Sequence, residues 1–250
     1  MTQQDASRQD RISGVFSSQE VKKVGTGTTT RKTIQKAFWF CEEQDDGSFE
    51  VQPLNPNYIP SGPKKLVTRE RFLSAFNPEP EMYASTVYPK MHEINKTIAR
   101  ADRHRANKEY YSAEMEYNTA LKVDEDNIRA NFGLGITYLE RAENAKAENI
   151  FGRLVRLEAA FEEENKHLFN EFGIKLRKNK MIDQAVTYYE RALALTAGDE
   201  NLFYNMARAY FEDQNIPKAI ENLEKSLKLN PLLDPAVKFL LWLVSKGLVP

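Results

Sequence analysis

One cysteine, Cys41, in 250 residues leaves no intrachain disulfide to form, and a reducing compartment suits such a chain. Histidine is scarce as well: His92, His104 and His167 are scattered, without the spacing that zinc ligands need. The 35 basic and 36 acidic residues nearly cancel, to a net charge of −1, so no global field draws nucleic acid or an anionic membrane. Long hydrophobic runs are missing. The longest, residues 239–244, falls far short of the roughly 20 residues that span a bilayer. The opening stretch MTQQDASRQDRISG is polar, with neither a signal core nor an anchor, and the expectation is a cytoplasmic protein.

Chemical motifs are equally sparse. The stretch GTGTTTRKT at residues 25–33 has glycines, hydroxyls and a Lys-Thr pair, but a phosphate loop needs glycine where Arg31 and Thr26 stand. No Ser-His-Asp set, nucleophile elbow or carboxylate–histidine cluster can be assembled, so no catalytic residue, metal or cofactor is assigned. The run Glu162-Glu163-Glu164 reads as a solvated connection.

Residues 1–30 are rich in Gln, Ser, Thr, Asp and Gly, with isolated Val15, Phe16 and Val21, and predict a flexible tail. Residues 31–83 predict a small α+β appendage. Residues 32–43 are β-branched and aromatic, Asp46-Gly47 is a hairpin signal, and residues 48–54 pair back. Ile34, Phe38 and Phe40 fall on one face, Trp39 and Cys41 on the other, so both faces call for a cover. Thr68 is placed to cap a short helix at 69–76 that presents Phe72, Leu73 and Phe76. The appendage is expected to dock on the first repeat helix or on another subunit. Prolines in the 77–83 run and Pro89 predict a linker over 84–93. The basic residues Lys22, Lys23, Arg31, Lys32 and Lys36 beside Phe38 and Trp39 give a weak case for single-stranded nucleic acid, because alternation puts Trp39 opposite Lys32 and Lys36.

The second half of the chain is periodic. Ala113, Ala147, Ala185 and Ala219 recur at separations of 34, 38 and 34 residues. Each is followed four positions on by a large apolar residue, Tyr117, Phe151, Tyr189 or Leu223, and then by Ala120, Leu154, Ala192 or Ser226. Twelve residues before the last three alanines stand Gly135, Gly173 and Ala207, after Leu134, Phe172 and Met206 and before Tyr138, Leu176 and Tyr210. A unit of two antiparallel helices cannot bury its apolar stripe alone, so neighbours must stack, with small residues where helices approach closely. This pattern resembles the tetratricopeptide-repeat family over residues 94–231, most specifically in LFYNMARAYFEDQNIPKAIENLEKSLKLNP at 202–231. The first unit fits less well, having Arg100 and His104 where the family has an apolar residue and a tyrosine.

The resemblance implies a mostly α chain: a right-handed α-solenoid of about four helix pairs, at 94–127, 128–161, 166–199 and 200–233, plus a capping helix at 234–250. Asp234-Pro235 is read as its N-cap and first-turn proline, and the segment 237–244 looks apolar almost all round. Family members line a concave groove with the first helix of each pair. Carried over, the groove positions are Arg129, Phe132 and Ile136, then Asn170, Ile174 and Arg177, then Tyr204, Arg208 and Phe211. The two-carboxylate clamp of chaperone-binding members is missing, since Ile98, Asp102, Gly133, His167 and Glu171 occupy its positions. The resemblance therefore implies a non-catalytic adaptor that holds a peptide or helix of another protein. The alternative is self-assembly, as a homodimer through Trp39, Phe239 and Trp242; nucleic acid ranks last and no membrane partner is expected.

Overall fold

A computed structural model of the chain describes residues 11–24, 31–161, 165–196 and 198–249. The protein is mostly helical, carries one antiparallel sheet, and divides into two compact units. One takes in the residues up to Ala99 together with Thr119–Asn127; the other comprises Arg100–Asn118 and the residues from Ile128 onward.

In the first unit, strands β1 (Ser13–Val24), β2 (Arg31–Glu43), β3 (Phe49–Pro53), β4 (Lys65–Val67) and β5 (Asn77–Pro78) form a sheet in the order β4-β3-β2-β1-β5. The Asp46-Gly47 turn joins β2 to β3: Gly47 takes φ +82°, and Ser48 N–H donates to Asp46 Oδ1 at 2.9 Å. β1 corrects the expectation of a flexible tail. It pairs with β2 from Ser13 opposite Glu42 to Val24 opposite Arg31, and Val15 is buried. Ladder bonds are made by the backbone, so a polar segment becomes a strand once a neighbour offers its edge. Residues 1–10 and 25–30 of the expected tail lie outside the described residues.

Cross-strand pairing places Phe16, Trp39, Cys41 and Val51 on one face, where helix α1 (Arg69–Ala75), capped by Thr68, covers them. Phe72 stacks on Phe49 with centroids 3.7 Å apart, and Phe76 joins the cluster. Leu73 does not. It is 64% exposed, because helical spacing puts residues 72 and 76 on one side and 73 a quarter-turn away.

The expected linker at 84–93 is helical instead. A π-type turn, Tyr83–Val87, leads into helix α2 (Tyr88–Ala106). Pro89 has no N–H to give, and the wider turn before it closes through Tyr88 N–H to Tyr83 O, so the proline is carried without a break. This segment meets the sheet's second face, with Tyr83 against Phe40 at 6.1 Å and with Val87 and Ile94 buried. A loop of the appendage also caps helix α3 (Tyr110–Val123). Asn55 and Asn57 each donate a side-chain N–H to Val123 O, at 3.0 and 2.8 Å, and Ser61 Oγ donates to Asp124 at 2.6 Å. These donors satisfy carbonyl and carboxylate acceptors that the helix end leaves open.

The second unit continues with α4 (Ile128–Glu140), α5 (Asn144–Leu154), α6 (Lys166–Lys178), α7 (Ile182–Leu195), α8 (Glu200–Glu212), α9 (Ile216–Leu229) and α10 (Asp234–Ser245). Partners within a pair are in contact, and so are the first helices α4 with α6 and α6 with α8. Ala113, Ala147, Ala185 and Ala219 are all wholly buried, as are Tyr117, Tyr189 and Leu223, whereas Phe151 is only partly so. Arg100 and His104, which break the family pattern, pair with Glu116 and Glu109. The start of α10 is a further correction: Leu233 holds the cap position without a side-chain bond, and Asp234 is the first helical residue. The Glu162–164 run lies outside the described residues.

Candidate functional site

The nine carried-over positions do not line one groove. Helix α4 is buried from residue 131 to 139, so Phe132 and Ile136, each 0% exposed, are core residues. Phe132 meets Phe172 of α6 edge-on at 5.8 Å. The reason is the glycine pair in α4. A Cβ on Gly133 would stand 2.2 Å from the Tyr117 ring, and one on Gly135 would stand 2.6 Å from Phe172, so neighbouring side chains pack directly against this helix.

Ion pairs tie up the adjoining surface. Arg129 is held by Asp102 at 2.6 Å, and the same carboxylate accepts from Tyr117 OH. Burial raises the Tyr117 pKa, with the Asp102 hydrogen bond acting the same way. Arg105 pairs with Glu171 at 3.1 Å, Lys175 pairs with Glu140, and Glu140 also accepts from Tyr110 OH at 3.0 Å. Arg177, 3% exposed at its side chain, is consumed by Glu212. Ile174 and Asn170 are half-buried, and the buried Asn170 Oδ1 has no hydrogen-bond partner among the described residues.

The last three positions behave differently. Tyr204, Arg208 and Phe211 of α8, with Glu212, face Pro235, Lys238, Phe239 and Trp242 of α10 across a cleft of ≈ 530 Å³. Phe211 packs edge-on against both Phe239 and Trp242, each at 5.3 Å. These contacts exist because Phe239 and Trp242 are three apart on one side of α10, while Ala236 and Leu243 turn into the core with Ala207 and Leu223. Lys238 is paired with Asp234 at 2.7 Å and Glu212 with Arg177. Arg208 is exposed, lies 6.0 Å over the Tyr204 ring, and has no carboxylate partner among the described residues. The cleft thus combines an aromatic wall with one cation left uncompensated, a setting for an apolar side chain beside an anion.

Residues assigned from sequence to two surfaces, the groove and a second interface, therefore meet in one place. Pro235 and Lys238 were missed, although they fall on the same helical side as Phe239 and Trp242. Trp39, the third residue of the second interface, belongs to the appendage's own packing: its Nε1–H donates to Ser18 Oγ at 2.8 Å and its ring meets Phe76 at 6.1 Å. Lys36 of the basic strip pairs with Glu79, whose carboxyl is held below its usual range by that hydrogen bond and by one from Ser17. The strip thus loses both a cation and its tryptophan platform. Among the described residues, no three or more His, Cys, Asp or Glu side chains are grouped to hold a metal, and no helix is long and apolar enough to cross a membrane.

Residues 201–233, covering α8 and α9, match the family described as tetratricopeptide repeat. Over 144 residues the chain is 28% identical to anaphase-promoting complex subunit 3 of Schizosaccharomyces pombe (strain 972 / ATCC 24843), an alignment that covers 57% of this chain. The chain spans about a fifth of that relative's length, 21%. Among solved structures it is similar to MamA, with 23% identity, 59% of this chain and 85% of that chain covered, and a TM-score of 0.47. It is also similar to PilF of Pseudomonas aeruginosa, with 18% identity, 64% and 75% covered, and a TM-score of 0.45. Residues 201–233 are thus matched as a tetratricopeptide repeat, and the alanines that mark the same period, Ala113, Ala147 and Ala185, are buried in the helices before them.

Proposed function

We propose that this protein is a non-catalytic, cytoplasmic adaptor that holds a segment of a partner protein in the cleft between α8 and α10. Tetratricopeptide repeats generally mediate protein–protein interaction. The observation that carries the reading is the exposed Arg208 guanidinium, without a carboxylate partner among the described residues, beside an aromatic wall of Tyr204, Phe211, Phe239 and Trp242. The occupant is a polypeptide segment with a bulky apolar side chain for the wall and a carboxylate, in a neighbouring turn or at a chain end, for Arg208. Phe132, Ile136 and Arg177 act through packing, outside the contact surface.

Selection of short random peptides on the immobilised protein tests this. Enriched sequences should pair an apolar residue with an acid, and the enrichment should vanish on Arg208→Glu and on Trp242→Ala protein of unchanged helical content. The same sequences enriched on wild type and variants would count against the cleft.

A further inference from the structure

A second cavity, of ≈ 220 Å³, lies within the first unit, between helix α2 and the sheet face opposite α1. The β2–β3 register sets Phe40 opposite Gln52 and Glu42 opposite Glu50, so these four residues form one patch of the sheet that lines it. Met91 and Ile94, three apart on α2, cover the patch, and Ile59 closes one side. Ile59 and Ile94 are buried and Glu42 is exposed, which gives the cavity an apolar floor and an acidic mouth. Carboxylates directly opposite each other on neighbouring strands repel, and a cation beside them relieves the repulsion. Lys64 Nζ, 3.1 Å from Glu50, supplies one such charge. Glu42 has no ion-pair partner among the described residues, so one negative charge in the lining stays unanswered. Gln52 Nε2 is spent on Gly62 O at 2.9 Å, and what this amide still offers is its oxygen, an acceptor.

We infer that this cavity binds a primary alkylammonium ion, with the nitrogen at Glu42 and the chain on the apolar floor. An ammonium carries three N–H donors and no acceptor. The open acceptors here, the Glu42 carboxylate and the Gln52 amide oxygen, suit such a group, whereas an anion would meet two carboxylates and a lysine that is already paired. Ile59, Met91 and Ile94 take the alkyl chain, and the flexible Met91 thioether adapts to its length. Volume limits the ligand. Pockets for drug-sized molecules begin at about 300 Å³, so this one holds a short chain or a single side chain. Lys64 opposes a second cation, and a monoamine therefore fits better than a diamine. A free amine and the lysine of a polypeptide share this chemistry, and the two can be told apart by titration.

Chemical-shift titration of the full chain with pentylamine at neutral pH should move the backbone amides of residues 40–42 and 50–52, with a Kd on the order of millimolar for so few atoms. Pentanol and pentanoate, of the same length, should leave them in place. Glu42→Gln keeps the side chain's shape, removes its charge, and should weaken the amine about tenfold. Lys64→Gln removes the competing cation and should tighten it about threefold, a gain that damage to the fold cannot produce. Binding of pentylamine without binding of N-acetyl-lysine amide assigns the cavity to a free amine, and equal binding of both assigns it to a lysine side chain. No shift with either compound, an equal response to pentanol, or an unchanged affinity in Glu42→Gln overturns the proposal. The lining residues all belong to the first unit, so Arg208→Glu should leave this titration as it is, and the cavity and the cleft stand or fall separately.

Discussion

The ring of Trp242 meets that of Phe211 edge-on, with centroids 5.3 Å apart and planes at 84°. One residue comes from the first helix of the last full repeat and the other from the helix beyond it, so the cleft exists only while α10 is docked. A peptide selected on the wild-type protein should bind Trp242→Ala about 30-fold more weakly, the loss of an aromatic anchor. It should bind Arg208→Glu roughly 10- to 100-fold more weakly, the loss of a charge-assisted hydrogen bond. Titration calorimetry measures both. Equal affinity for all three proteins places the occupant elsewhere.

Gly133→Ala should destabilise the second unit by about 1–3 kcal/mol although alanine is the better helix former by about 1 kcal/mol. The new Cβ would overlap the Tyr117 ring, which is wholly buried and anchored to Asp102 through its hydroxyl, and so cannot swing aside cheaply. Urea unfolding gives the comparison, and a neutral or stabilising result would refute this close packing.

Asp199 caps α8, its Oδ1 accepting from Asn201 N–H at 2.7 Å and Leu202 N–H at 3.3 Å while Lys166 pairs with the other oxygen at 2.9 Å. Burial works to raise the pKa of this carboxyl, but Lys166 and the two backbone donors outweigh it and hold the group below its ordinary value. A depressed folded pKa stabilises the protein above the unfolded value, near 4, and that contribution fades as pH falls through the folded value. Asp199→Ala should therefore cost about 1 kcal/mol at neutral pH, with the gap to wild type closing below about pH 4. Asp199→Asn should retain most of the cap and lose the pH dependence. Thermal melts across that range decide it, and a gap that stays constant in acid would remove the ionic contribution.

Cys41 sits in the sheet core, and burial pushes its thiol pKa up to about 12. With almost no thiolate at neutral pH, it should resist thiol reagents in the native protein and label stoichiometrically in denaturant. Rapid native labelling would mean that α1 does not stay over the sheet.

Much of this was legible in the residues. The alanine period fixed which side of each second helix is buried, because a 3.6-residue repeat with small residues at the close approaches has one way to pack. The hairpin turn at Asp46-Gly47 and the Thr68 cap are local chemistry and were read as such. β1 was not legible. Its Ser, Gln and Lys residues give no strand signal on their own, and only the edge of β2 makes a strand of them. The helical course of residues 84–93 was hidden by Pro89, because the wider turn that accommodates a proline leaves no mark in composition.

For the candidate site the division is sharper. The sequence by itself determined the repeat, its register, and the aromatic and basic residues that end up in the cleft, since those follow from spacing along single helices. Tertiary structure alone decided that Phe132 and Ile136 are core, that Arg177 is spent on Glu212, and that Tyr204, Arg208 and Phe211 stay accessible beside Trp242. Exposure belongs to neighbours brought together by the fold. No residue carries it alone, and so no pattern along one helix can state it.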